Sequence, residues 1–197
     1  MPIVFDGSAG TVTGIATGGL PDGCVDTDTL ANNAVTSAKS TGLGITMADQ
    51  WRVTSTFNVS SSANITNWER NDSPGFAKIG TGMSVDGSGH FSFPSTGIYL
   101  VKISLTGNSD GGPFNYVACD IETTLNNSSY TGVAATYQAV EDSNHHWHMA
   151  TEILFDVTDV STHKVQFKMY STNTRPYVYG SSAHNATYAH FTKLGET

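Results

Sequence analysis

Asn-His-His-Trp-His-Met, residues 144–149, is the densest run of chemistry-bearing side chains in this 197-residue chain. On a strand, His146 and His148 project from one face, with His145 and Trp147 on the other. Two imidazoles at i and i+2 can chelate a divalent transition metal. They fill only part of a coordination shell, so a metal at His146 and His148 requires further copies of the chain around an axis. A catalytic histidine needs a nucleophile, and no Ser or Cys nucleophile motif accompanies this one. Asp120 and Glu122 share a strand face, as a glycoside-cleaving pair can, but so do many carboxylates with no catalytic task. No glycine-rich phosphate loop is present. The chain is therefore expected to be a non-enzyme without a cofactor. Trp68, Trp147, Tyr177 and Tyr179 fall in or near loops, where rings can stack on sugars, and they are candidate ligand contacts; Tyr177-Val178-Tyr179 reads equally as a strand facing an interface between subunits.

The elements that position these residues follow from composition. The chain is 38% hydrophobic and only 13% charged, about half the roughly 25% of ordinary soluble domains. Ser, Thr, Asn and Gly fill the difference, which suits β-structure with many turns. Its net charge is −8, and its nine basic residues are scattered, whereas nucleic-acid binding needs them clustered. No apolar run approaches the 18 or so residues of a membrane-spanning helix. No basic stretch followed by an apolar core opens the chain, so a secretory leader is not expected. Cys24 and Cys119 are too few and too far apart for a disulfide framework. Cys119 alternates with Val117 and Ile121, the pattern of a buried small hydrophobe.

From residue 46 onward the periodicity is that of strands. In "HKVQFKMY" (163–170), Val165, Phe167 and Met169 face one way, while Lys164, Gln166 and Lys168 face the other. In "GIYLVKISLTG" (97–107), Tyr99, Val101, Ile103 and Leu105 share a face, and Ile98 and Leu100 make the opposite face apolar too. A strand covered on both sides reads this way. Phe91 and Phe93 precede it. Turn signals such as "DGSG" and "SDGGP" separate about ten short strands. No βαβ rhythm is present. The expected fold is all-β, a ten-stranded jelly-roll sandwich over 46–197.

Residues 1–45 read differently. Glycines recur through the first 23 residues, and this stretch cannot bury enough surface to fold alone. A short helix is expected over about 27–39: Asp26 or Thr27 caps it, Leu30, Ala31, Ala34, Val35 and Ala38 form one face, and Lys39 and Gly42 close it. Such a helix is marginal in isolation. Its stripe, with Val25 before it, makes sense against another surface, so residues 1–45 are read as an attachment arm.

Two resemblances sharpen this outline. "FSFPSTGIYLVKISL" (91–105), with Phe91 followed after five residues by Gly97-Ile98-Tyr99, resembles the strand pair that marks the complement globular-head and tumour necrosis factor superfamily. The closing "AHFTKLGE" (189–196) is similar to that family's final strand. Val101 and Ile103 stand where the family usually has aromatics, so the resemblance speaks for the fold and not for a signalling role. It implies a homotrimer packed through an apolar sheet face, with Phe91, Phe93, Ile98, Tyr99, Leu100 and Val101 in the core or at the trimer contact.

"GGLPDGCVDTDTLANNAVTSAK" (18–39) resembles an N-terminal segment of tail-fibre-like and other virion proteins of marine tailed bacteriophages, almost letter for letter from Gly19 to Lys39. It implies a virion location, with other virion proteins of tail or capsid as partners of the arm. His146 and His148 would then resemble the His-x-His iron sites of some phage fibres. Depolymerising tailspikes usually use long β-helices, for which this chain has no room. The expectation is a trimeric short tail fibre or fibre tip whose jelly-roll head attaches to the host, with a surface glycan as its contact. The alternative is a capsid decoration or head-fibre protein that stabilises the shell.

Overall fold

The computed structural model describes residues 4–6, 8, 11–13, 44–172 and 176–197. The chain divides into two units, Met1–Leu43 and Gly44–Thr197. In the first, β1 (Val4–Asp6) and β2 (Thr11–Thr13) pair antiparallel, Phe5 opposite Val12. The helix expected over 27–39, with Val25, Leu30, Ala31, Ala34, Val35 and Ala38, lies outside the described residues.

The second unit is all-β. Its strands are β3 (Ala48–Val53), β4 (Ser55–Asn58), β5 (Ala63–Asn64), β6 (Trp68–Arg70), β7 (Ser84–Val85), β8 (Phe91–Ser92), β9 (Gly97–Ser109), β10 (Phe114–Thr124), β11 (Thr131–Val140), β12 (His146–Val157), β13 (Lys164–Ser171), β14 (Pro176–Ser181) and β15 (Tyr188–Gly195). One sheet runs β11-β10-β13-β8-β7, with β5 also on β13. The other runs β4-β14-β9-β15-β3-β6, with β12 along the remaining edge of β9. Every pairing is antiparallel. Two such sheets face to face are the expected jelly-roll sandwich. Among the described residues it has thirteen strands rather than ten, in part because the stretches 48–58 and 63–70 each break into two short segments. Among the described residues there is no helix, hence none long and apolar enough to cross a membrane.

The core lies between the sheets, where the inward residues of each strand meet. Phe91 is its hub. Its ring lies 5.5 Å from Trp51, 5.4 Å from Trp68, 5.8 Å from Phe167 and 4.9 Å from Phe191. Edge-to-face and tilted pairs of this kind add to the area they bury. Phe93 joins Tyr99 at 4.7 Å and Phe155 at 5.6 Å. Phe91, Phe93, Tyr99 and Val101 are thus core residues, fully or almost fully buried within one chain. Ile98 and Leu100 point the other way and are only half-buried.

Two buried polar groups bind the first head strand to its neighbours. Asp49 accepts hydrogen bonds from Trp51 Nε1 (2.9 Å), Arg70 Nε (3.1 Å) and the Met83 amide (2.8 Å). Arg52, 1% exposed, donates to Glu69 (2.6 Å), Asn71 (2.9 Å), Asp72 (2.7 Å) and Ser73 (2.7 Å). A buried cation is tolerable only when its donors are satisfied in this way.

Candidate assembly face

The outward face of the sheet containing β9 is built from strand alternation. On β12 it presents His146, His148, Ala150, Glu152, Leu154 and Asp156; on β9 it presents Ile98, Leu100, Lys102, Ser104, Thr106 and Asn108. The register lines these up in rows that continue across β15 and β3. Leu154 lies opposite Leu100, which faces Thr192 and then Ala48; Asp156 lies opposite Ile98. The next row is Glu152, Lys102, His190 and Gln50, and the one after it is Ala150, Ser104, Tyr188 and Arg52. At the far end His146 lies opposite Asn108, which pairs with Tyr177 of β14.

The face is therefore graded. One end is apolar: Leu154 is 66% exposed beside half-buried Leu100 and Ile98, with Leu194 also exposed. The middle is charged, with Lys102 Nζ 3.6 Å from Glu152 Oε2. Burial, and next the Lys102 charge, hold the His190 imidazole below its ordinary pKa. The other end is histidine and tyrosine. On the β3 side the face is closed over by the Arg52 clamp.

At the polar end, His146 and His148 lie on one face of β12, but each has its own partner. His148 Nε2 is 3.0 Å from Ser104 Oγ, and His146 Nδ1 is 3.3 Å from the Tyr179 hydroxyl. Among the described residues no group of three or more His, Cys, Asp or Glu could hold a metal ion. One chain supplies two imidazoles and nothing further.

The aromatic contacts divide. Tyr177 and Tyr179 are half-buried on the outward face of β14, with Val178 between them in the core. Trp68 and Trp147 stand at the starts of β6 and β12 with their rings turned into the core. Trp68, 9% exposed, packs on Phe91 and Phe167 and donates from Nε1 to the Ile65 carbonyl at 2.8 Å. Trp147, 4% exposed, lies over Gly107 of β9. A β-carbon at Gly107 would collide with the Trp147 ring and with the Tyr177 carbonyl oxygen. That slot is what turns the indole inward, and only the pairing of β12 with β9 shows it. β12 begins at His146, six residues before the apolar alternation from Glu152 that signals a strand, because Leu105 to Asn108 hold its polar opening in register.

No family model matches the chain, and no curated protein matches it. Solved structures do. Eiger TNF from S. frugiperda superposes with a TM-score of 0.60 at 13% identity, covering 77% of this chain and 94% of that one. Murine APRIL superposes with a TM-score of 0.56 at 11% identity, covering 75% and 98%. The head has the jelly-roll fold of the tumour necrosis factor ligands. At such identities the likeness extends to the fold alone, which the Phe91–Leu105 strand pair had pointed to. The jelly roll leaves two sheet faces outside its core, and the graded face described above is one of them.

Proposed function

We propose that this chain is a non-enzymatic structural protein of a tailed-phage virion, a short tail fibre or fibre tip whose jelly-roll head closes with two further copies into a homotrimer. The arm docks on the particle and the head is presented to the host. The observation that carries the assembly is the apolar end of the outward sheet face, where Leu154 lies two-thirds exposed beside Leu100 and Ile98. Burying that end against symmetry mates removes apolar surface from water, at roughly 25 cal/mol per Å², and cyclic closure satisfies it in every copy. The virion location rests on the wording of residues 19–39, whose resemblance to phage virion segments is long and nearly continuous.

Native mass spectrometry of the full chain tests the assembly. The expected species has three times the 20.9 kDa chain mass, and a single-subunit species in dilute buffer overturns it. Leu154→Asp places a charge at the apolar end without touching the core. It is expected to yield folded single subunits, with an unchanged far-ultraviolet spectrum. Copy number on purified particles then separates the two virion readings. A few trimers at the tail support a fibre, and many copies spread over the shell support the decoration protein.

A further inference from the structure

The opposite sheet carries a cleft that the assembly face does not use. Ala118 of β10, almost fully buried, forms its floor. In the register Ala118 lies opposite Tyr137 of β11 on one side and Tyr170 of β13 on the other, and Tyr116 precedes it on the same face of β10. Three tyrosines thus stand around one methyl group. With Asp120 they line an open cleft of about 270 Å³, a little below the roughly 300–1,000 Å³ of sites for drug-sized ligands.

The three rings are held differently. Tyr137 is 66% exposed, and its ring centre is 6.2 Å from that of Tyr116, the planes inclined at 60°. Tyr170 is fixed from behind. Its hydroxyl donates to Glu122 Oε1 at 2.9 Å, and buried Glu122 also accepts from Gln166, which in turn accepts from Asn64. Lys168 lies 3.7 Å from Glu122 and 5.3 Å from the Tyr170 ring centre. Asp120 is the unmatched member: among the described residues no donor reaches its carboxylate. Gly132 of β11, paired with Glu122, leaves room beside it, since a β-carbon there would come within 3.3 Å of Oδ2. Burial, and next the Glu122 charge, push the Asp120 carboxyl above its ordinary pKa.

We infer that this cleft is a saccharide-binding site for a single pyranose ring, stacked on Tyr137 with its hydroxyls directed to Asp120. A pyranose has an apolar C–H face and a rim of hydroxyls that both donate and accept. The cleft offers the complement: an exposed aromatic face and, in Asp120, a carboxylate acceptor without a donor. A cationic ligand fits less well, because Lys168 already occupies the neighbourhood of the Tyr170 ring.

Saturation-transfer NMR on the full chain, with the methyl glycosides of glucose, galactose, mannose and N-acetylglucosamine, tests this directly. Transfer to at least one of them is expected. Tyr137→Ala and Asp120→Asn should each weaken binding at least about tenfold, while Tyr137→Phe retains it. Tyr137 is exposed, so its variants should keep the thermal midpoint of the native protein. Silence from all four glycosides overturns the inference, as does transfer that survives Tyr137→Ala. Choline bound in place of the sugars also overturns it, in favour of a cation cage. The inference needs the proposed assembly only for the claim that this face stays open in a particle. Single subunits that bind sugar sink the trimer alone, and trimers that bind none sink the site alone.

Discussion

At the scale of single residues, Gly107 and Cys119 show what burial does. Gly107 is required by close approach, since Trp147 and the Tyr177 carbonyl occupy the space of a side chain. Gly107→Ala should therefore force β12 or β14 away from β9 and cost about 1–3 kcal/mol, as overpacking does. The loss is read by chemical denaturation, with a red shift in tryptophan emission as Trp147 is displaced. Cys119 is enclosed, and burial, with the charges of Asp120 and Glu122 behind it, pushes its thiol pKa far up. The thiolate is the reactive form. Iodoacetamide should leave Cys119 unmodified in the native protein and label it only after denaturation, as peptide mass mapping would show. The burial of Cys119 was legible from its alternation with Val117 and Ile121. The burial of Trp147 was not, because a tryptophan among histidines gives no period, and its slot is made by a glycine forty residues away.

At the scale of elements, the strands with clean alternation were legible. β9, β10 and β13 lie where the spacing of apolar residues puts them, because two-sided sandwiches impose a period of two. The candidate site was less so. The outward faces of β9 and β12 are polar over half their length, and only the register shows that Leu154 meets Leu100. The tyrosine cleft is spread over three strands, with Tyr116, Tyr137 and Tyr170 far apart in the chain and joined only by pairing to Ala118. Arg52 was equally silent in the sequence, since a lone arginine in a strand reads as a surface residue. It joins β3 to β6 and the loop after it, and removing it takes a donor from Glu69, Asn71, Asp72 and Ser73 and leaves a cavity where a fully buried side chain stood. Arg52→Ala is expected to cost about 3 kcal/mol and to lower the melting temperature by roughly 10 °C, measured by calorimetry.

At the scale of the whole molecule, the pH response follows from His190, in the charged middle of the outward face. Its pKa in the folded state lies below the ordinary 6.5 because of burial and the Lys102 charge. The unfolded chain then binds the proton more readily than the native one, so stability rises with pH across this interval. His190's contribution is complete above about pH 6.5 and is lost as the pH falls from there toward the folded-state value. Melting temperatures should therefore decline on acidification from pH 7.5 to about pH 5.5, and His190→Gln should flatten that decline.

The placement of β15 bears on how the head comes to be made. It is inserted between β9 and β3, so the last strand of the head in chain order is an interior one, seated beside the first. Until it arrives, β3 and β9 each expose an unpaired edge, and such edges invite pairing with other chains. Sandwiches with pairings this distant in sequence fold slowly. The sheet of the head therefore cannot close until β15 has been made, so its first strand waits for the last one in chain order.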